Sequence, residues 1–294
     1  MLKLRKGIIL AGGSGTRLKP ITNIISKQLL PVYDKPMIYY PLSTLMTMKI
    51  REVLVITTPH DNSSYKKLLG DGAQWGMKIK YEIQNDPNGI AEAFILGEKF
   101  IDNSPSVLVL GDNLFYGKNM VDLLDKANKD INNSTIFAYK VNDPERYGVV
   151  EFDSNYEALS IVEKPAKTKS SYAVTGIYFY NNKVCNYAKE LVPSKRGELE
   201  ITDLNLAFLK KKKLKVKVLG SGNTWLDTGT YDSLIDASIF ISTLQNRQGI
   251  KVACPEQIAF RNKWINKACF FNLIKDLEPS PYSNFLKKIY DEST

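Results

Sequence analysis

KGIILAGGSGTRLKPITNIISK, residues 6–27, is the stretch from which both fold and chemistry are read. A short apolar run over 7–10 leads straight into a loop, Gly12-Gly13-Ser14-Gly15-Thr16-Arg17, with three of its glycines close together and one fixed cation. Glycine permits positive φ and lets backbone N–H groups come close to a ligand, and successive N–H groups facing one way form an anion-binding concavity. Arg17 adds a planar donor fork that matches phosphate oxygens, and Lys27 supplies a second cation a short distance on. The pattern predicts a cradle for a polyphosphate. The alternative is an ordinary strand-to-helix turn that needs glycine and binds nothing. Two familiar phosphate loops do not fit: there is no G-x-x-x-x-G-K-[ST] run, and a G-x-G-x-x-G counted from Gly13 and Gly15 meets Leu18 at its third position.

At 294 residues and 44% hydrophobic the chain can bury a large core, and this length suits one or two domains. No apolar run approaches the roughly 20 residues needed to span a bilayer, and the run 8–11 falls short of the roughly 7–15 residues of a signal-peptide core. A cytoplasmic protein with no membrane partner is expected. The three cysteines, Cys185, Cys254 and Cys269, are odd in number and form no C-x-x-C, which argues against a disulfide scaffold or a cysteine zinc site. The single histidine, His60, cannot build a multi-histidine metal site, and its Thr58-Pro59-His60-Asp61-Asn62 setting reads as a surface turn. Carboxylates, cations and a hard metal are left to do the chemistry.

The formal charge of +9 and the run Lys210-Lys211-Lys212-Lys213 admit nucleic-acid binding. The run lies where a helix ends and a Lys/Val-alternating strand begins, however, and cations at a helix C-terminus are favoured by the dipole while facing water. No nucleic-acid partner is expected. General basicity suits phosphate anions as substrates and products.

Apolar runs over 7–10, 53–57, 79–83, 107–110 and 135–139 read as strands, and 37–48, 62–69, 90–100 and 121–129 as helices between them. Apolar strands without polar alternation, separated by helices, predict an α/β fold with a mostly parallel sheet covered on both faces. Ligands in such sheets bind beyond the carboxyl ends of the strands, where the glycine loop and Gly111-Asp112-Asn113 both fall. From Tyr147 the texture changes: 149–152 and 159–162 read as a hairpin and 173–180 as a further strand, an antiparallel portion able to hold a sugar. Beyond Thr230 the pattern is helical. Asp112, Asp227 and the Glu163-Lys164-Pro165 segment each have a plain structural reading: a turn former, the cap of a helix beginning near Tyr231, and a strand end. Proline restricts Lys164 to extended geometry.

L-A-G-G-x-G-T-R-L followed by SKQLLPVYDKPMIYYPLSTLMTM (26–48) resembles the sugar-nucleotide pyrophosphorylases, specifically their glucose-1-phosphate thymidylyltransferase branch. The resemblance runs in order through LGDN (110–113), DPERYGVVEFD (143–153), EKP (163–165), YAVTGIYFY (172–180), RGELEITD (196–203), WLDTGT (225–230) and QNRQG (245–249). It implies a Rossmann-like nucleotidyltransferase sandwich with C-terminal helices, divided into a catalytic domain over 1–240 and a helical appendage over 241–294. Within the former, about 1–140 would bind nucleotide and about 141–230 sugar. The implied reaction joins dTTP to α-D-glucose 1-phosphate, giving dTDP-glucose and pyrophosphate; a uridylyltransferase making UDP-glucose and a non-catalytic nucleotide-sugar sensor are the alternatives.

The same resemblance distributes roles. Gly12, Gly13, Ser14, Gly15, Thr16, Arg17, Lys27, Gln84, Gly89 and Asp112 would hold the nucleotide, with Gln84 and Gly89 on the base; a Gln amide can pair with a pyrimidine edge. Asn113, Gly148, Glu163, Lys164, Val174 and Arg196 would hold the sugar phosphate, and Arg17, Lys27 and Lys164 would be catalytic. Asp112 and Asp227 would bind Mg²⁺, a hard cation that takes one or two protein carboxylates plus substrate phosphates. A homotetramer is implied, with dTDP-rhamnose as inhibitor at a second site touching Gly117, Glu256 and Arg261. The plain alternative for Glu256 and Arg261 is a surface salt bridge.

Overall fold

The structure, a computed structural model, describes residues 4–13 and 15–293. Strand β1 (Lys6–Ala11) carries Ile8 and Ile9 side by side and both fully buried, as in a strand covered on two faces. The chain then makes a small ribbon, β2 (Pro31–Val32) with β3 (Lys35–Pro36), and enters α1 (Tyr39–Thr47). It returns as β4 (Glu52–Thr57), passes α2 (Asn62–Leu69) to β5 (Lys78–Ile83), and reaches β6 (Ser106–Leu110) through α3 (Glu92–Leu96) and α4 (Glu98–Ile101). β4 and β6 flank β1, and β5 pairs β4, all in parallel. The helix expected over 90–100 is thus divided at Gly97, whose φ of −82° and ψ of 1° leave the helical geometry, a break that glycine's low helix propensity favours. His60 lies exposed in the turn after β4, as expected.

Strand β7 (Asn113–Gly117) and helix α5 (Met120–Lys129) follow, then β8 (Ser134–Lys140), the hairpin β9 (Gly148–Phe152) and β10 (Ala158–Glu163), and the long β11 (Tyr172–Tyr180). Helices α6 (Val184–Lys189) and α7 (Ile201–Lys210) precede β12 (Leu214–Val218) and β13 (Asn223–Asp227). Among the described residues the main sheet has nine strands. Only β10 and β11 run against the others: β11 is antiparallel to β6, β8 and β9, β10 is antiparallel to β9, and β12 is parallel to β8. The sheet is mostly parallel, as the sequence predicts, but β8 (within which 135–139 falls) is separated from the parallel core by β11. Local pattern marks a strand and carries no information about its neighbour.

Alternate residues feed two cores on opposite faces. Ile9, Val53, Val55, Val107 and Val109 join one cluster, and Ile8, Leu54, Ile56 and Leu108 the other. The second face is covered by Phe94, Ile101, Val184, Leu204 and Phe208 from α3, α4, α6 and α7. The first is covered by α1, α2 and α5 and also by the C-terminal helices α9 (Pro255–Arg261), α10 (Lys267–Asp276) and α11 (Pro281–Glu292), through Ala259, Phe270, Ile274 and Leu286. The long α8 (Tyr231–Gln248) runs through the boundary expected at 240. Its start is capped by Thr230, which forms a capping box with Ser233. Among the described residues no helix is long and apolar enough to cross a membrane.

The shared core makes a stability prediction. Phe270 is fully buried and stacks on Phe260 at 4.4 Å between centroids. Phe270→Ala should cost about 3–5 kcal/mol and lower the melting of the whole chain in one calorimetric transition. A separate low-temperature transition would instead mark 241–294 as an independent unit.

Candidate active site

The glycine loop leaves β1 at Ala11 and turns back at Gly15, which takes φ +59° and whose carbonyl accepts from Leu18 N (2.9 Å) and Thr22 Oγ1 (2.8 Å). Leu18 is fully buried and anchors the turn, so that Arg17 beside it is left exposed. Ser14 lies outside the described residues. Gly13, Gly15, Thr16 and Arg17 line a concavity of about 240 Å³ with Lys27, Gln28, Asp112 and Gly229. Arg17 and Thr16 also border a larger cleft of about 600 Å³ that holds Asp112, Asn113, Gly148, Glu163, Lys164, Val174 and Asp227. Residues expected on the nucleotide and on the sugar phosphate therefore meet around continuous space at the carboxyl edge of β1 and β6.

Asp112 and Asp227 are brought together by strands far apart in sequence. β7 begins just after Asp112 and pairs with β13, setting Asn113 opposite Asp227. Thr228 closes the junction, its N and Oγ1 both donating to Asp112 O (3.2 and 2.8 Å). The helix cap is Thr230, so the capping alternative for Asp227 does not hold. Lys27, expected as an open phosphate cation, is buried and ion-paired with Asp112. Burial alone would push the Asp112 carboxyl up, but the Lys27 charge and hydrogen bonds from Lys27 and Asn113 hold it below the ordinary carboxylate range. Asp227 goes the other way: burial, then the Asp112 charge, push it up against the pull of Lys27, Arg17 and Arg146. Arg17 Nη2 and Asp227 Oδ2 lie 3.1 and 3.2 Å from the place where a Cβ on Gly229 would stand. Two facing carboxylates, one of them destabilised by the other, fit a hard divalent cation. Among the described residues no three His, Cys, Asp or Glu side chains converge on such an ion, so its remaining ligands would come from phosphate and water.

Asn113 borders the cleft but is engaged by the protein at both ends of its amide. It is 2% exposed, its Nδ2 donates to Asp112 Oδ1 (2.9 Å), and its Oδ1 accepts from Gly176 N (3.1 Å) and Trp225 Nε1. It holds Asp112 in place. A Cβ on Gly176 would stand 2.3 Å from Asn113 Oδ1, and β11 bulges there, its register with β8 slipping between Val174 and Tyr178.

Glu163 sits opposite Gly148 in the β9–β10 hairpin and accepts from Thr202 Oγ1 (2.6 Å). Lys164 projects from the end of the hairpin, half exposed, 3.7 Å from Glu163. Its φ is +42°, not the extended value expected before proline. Lys164 N is fixed by donation to Tyr147 O (2.9 Å), so the ladder overrides the local preference, and such strain collects at functional sites. Arg196 does not line the cleft. It stands at the rim, its Nη2 and Nε donating to the buried Glu200 (2.8–3.0 Å), with Glu163 at 3.7 Å. Sequence reasoning treats Arg196 as a free cation and cannot see that partner.

Gln84 and Gly89 come together, Gln84 lying against the glycine loop. The second-site residues are placed by different elements, Gly117 by β7 and Glu256 and Arg261 by α9. Gly117 pairs with Asn223 in the β7–β13 ladder, while Glu256 is 3% exposed and bonded by Tyr282 Oη (2.8 Å) and Cys254 Sγ (3.5 Å). A surface salt bridge between Glu256 and Arg261 is therefore not formed; Arg261 is exposed and borders a groove of about 820 Å³ with Trp264 and Ile289. The residues missed by sequence reasoning are Arg146, Tyr147, Thr202 and Trp225, all cleft-lining. Arg146 is held by Asp143 (2.7 Å) over the Tyr147 ring, which packs in turn on Trp225. Only Tyr147 stands beside a glycine at a strand start; Thr202 opens α7 and Trp225 lies within β13, places that carry no local sequence signal.

With this geometry in hand, comparison places the chain. It belongs to the nucleotidyl transferase family, whose model matches residues 6–243. Relatives named glucose-1-phosphate thymidylyltransferase include one from Neisseria gonorrhoeae, 54% identical over 96% of this chain and 98% of its own. Another, from Mycobacterium tuberculosis, is 51% identical over 98% of this chain and all of its own. A UDP-glucose pyrophosphorylase solved with UDP-glucose superposes with a TM-score of 0.72 at 25% identity, covering 82% of this chain and 99% of that one. A Bacillus anthracis chain solved with a sucrose is 42% identical, with a TM-score of 0.74 over 80% of this chain and 94% of that one.

Two predictions follow from the electrostatics. Because Asp227 has a raised carboxyl, the folded state retains a proton that the unfolded chain releases near its ordinary value of 3.8. Stability is lost as pH rises through that window and stays lost above it. Asp112 contributes the opposite: stability present above the ordinary range and lost as pH falls through its lowered value. At pH 7 Asp227→Asn should therefore melt higher and Asp112→Asn lower than the parent, and both should lose turnover; two shifts of the same sign in calorimetry would refute the pairing. Arg17→Ala should lose about 100–1,000-fold in kcat, as for removal of one preorganised donor from a reacting centre. Lys211→Ala and Lys212→Ala, on exposed residues after α7, should stay within about twofold in the same assay.

Proposed function

We propose that the cleft transfers a thymidylyl group from dTTP to α-D-glucose 1-phosphate, releasing pyrophosphate and forming dTDP-glucose. The observation that carries this is the opposition, across one cleft, of a glycine-and-arginine concavity to a carboxylate and lysine at the hairpin end, with Asp112 and Asp227 between them. The full-length identity to relatives of that name supports the nucleotide and sugar. A UDP-glucose product is less favoured, since the pyrophosphorylase of that name is only 25% identical.

The loop and Arg17 hold the β- and γ-phosphates and then the departing pyrophosphate. Lys164 holds the phosphate of the incoming sugar, reducing repulsion between two anions, while Glu163, fixed by Thr202, accepts from sugar hydroxyls. A phosphate oxygen of the sugar attacks the α-phosphorus in line, with no covalent enzyme intermediate, so positioning and charge neutralisation supply the rate. Lys27 keeps Asp112 ionised, and Asp112 and Asp227 would hold Mg²⁺. That ion supplies charge neutralisation at the phosphates. Arg196 can add a second contact to the sugar phosphate once it leaves Glu200. We extend the reading to a cytoplasmic homotetramer in a pathway toward dTDP-rhamnose, inhibited by that product. With Glu256 buried, such inhibition would have to engage Arg261 and its groove.

Pyrophosphate release with glucose 1-phosphate tests the reaction. It should be fast with dTTP and slower with UTP by about 10–200-fold at most, the range for one methyl in a pocket. EDTA should abolish it and Mg²⁺ restore it. Equal rates without sugar phosphate, or no release with either nucleotide, would overturn the assignment.

A further inference from the structure

Gln84 reads the base only if its amide presents a defined end, and the two ends have opposite hydrogen-bonding character. Gln84 is 5% exposed at the carboxyl end of β5. Its Nε2 donates to Glu92 Oε2 at 2.7 Å and lies 3.4 Å from Gly89 O. The other oxygen of the same carboxylate accepts from Asn88 Nδ2 at 3.0 Å. A carboxylate only accepts, so the atom of Gln84 beside Glu92 must be the nitrogen, and the amide orientation follows from chemistry alone. Its Oε1 is then turned to the glycine loop, 2.6 Å from where a Cβ on Gly12 would stand; the missing side chain leaves room for that oxygen. The segment bearing Glu92 is itself fixed, since Leu199 N donates to Asn88 O (2.6 Å) and Ala91 N to Leu199 O (3.1 Å).

We infer that Glu92 is a specificity-determining positioning residue: by holding the Gln84 amide nitrogen it presents an acceptor to the nucleotide, selecting bases with an N3–H donor and rejecting cytosine. Thymine and uracil carry N3–H; cytosine carries an acceptor at N3 and would face Oε1 with two lone pairs opposed. Glu92 makes no contact with the reacting phosphates in this account. It acts through Gln84, and the inference rests on the reading of Gln84 as the base contact, which the resemblance to the sugar-nucleotide pyrophosphorylases implies.

The test compares kcat/KM for dTTP, dUTP and dCTP with glucose 1-phosphate in the parent, Gln84→Ala, Glu92→Gln and Glu92→Lys enzymes, each checked by thermal melting. Leaving a buried polar group mispaired costs about 10–100-fold, so Gln84→Ala should cut the dTTP-to-dCTP preference at least tenfold. Glu92→Lys offers only donors, turns Gln84 Oε1 toward itself and should lower the same ratio at least as much. Glu92→Gln keeps one acceptor oxygen and should fall between that variant and the parent, which serves if the Lys variant does not fold. The dTTP-to-dUTP ratio should stay within about twofold throughout, because both bases share the N3–H group and a polar reorientation leaves the methyl contact alone. A structural loosening would move both ratios together and would overturn the inference. So would a parent-like dTTP-to-dCTP ratio in the folded Glu92 variants while Gln84→Ala loses it. If Gln84→Ala itself keeps that ratio, Gln84 does not read the base, and the inference falls with that reading.

Discussion

Everything at the mouth of this cleft depends on holding two carboxylates, Asp112 and Asp227, close to one another in a partly dry place. Like charges so placed oppose each other, and burial makes the opposition worse. The chain resolves half of the conflict itself. Lys27 neutralises Asp112, and the Asn113 amide fixes it by one hydrogen bond while spending its oxygen on Gly176 and Trp225. Asp227 is left raised, by burial first and then by its neighbour, an imbalance that a divalent cation would relieve. The β7–β13 pairing maintains this arrangement, and the β11 bulge and the Trp225 indole are built around it. On the proposed function, stability given up at one carboxylate is the counterpart of a site built for metal-bound phosphate.

The strands over 7–10, 53–57 and 107–110 were legible because each is a local apolar run that must be covered on both sides, and the structure covers them; 79–83 also forms a strand, but at the sheet edge with Lys80 and Glu82 exposed. The place of the glycine loop was legible as well: the structure sets it beyond the end of β1, with Arg17 exposed at the cleft. Pairings between distant segments were not. No local pattern says that 223–227 lies against 113–117, that Lys27 is consumed by Asp112, or that Arg196 is gripped by Glu200. Lys164 shows the limit most clearly. The proline after it argues for extended backbone, yet a single long-range bond to Tyr147 O accompanies a left-handed φ. The surface salt bridge weighed for Glu256 fails for the same reason: the residue is buried and bonded by Tyr282, from a helix more than twenty residues later.

A common device runs through the cleft. Four donors or cations in or beside the cleft are already held by an acid: Lys27 by Asp112, Arg146 by Asp143, Arg196 by Glu200 and Gln84 by Glu92. Net charge of +9 and phosphate substrates would, on charge alone, leave such cations bare. Bare cations would be strong but mobile, because long side chains lose rotamer freedom when they bind. Holding them in advance moves that cost from the binding step to folding, and preorganised groups stabilise developing charge without having to reorient.

The device also sorts the residues by what substrate must displace. At Glu92 and Asp112 the acid can keep its partner while the free face of that partner meets ligand, so orientation persists through turnover. At Glu200 the guanidinium is gripped through both Nε and Nη2, and a phosphate can recruit Arg196 only by competing with a buried carboxylate. Arg17 stands apart. It is exposed on the glycine loop, beside the raised Asp227, at the end of the cleft that the proposed function gives to the departing pyrophosphate. A group that must both clamp a triphosphate and let its product go is better tethered by a loop than locked by an ion pair. On this argument the least restrained cation in the cleft is the one closest to the leaving group.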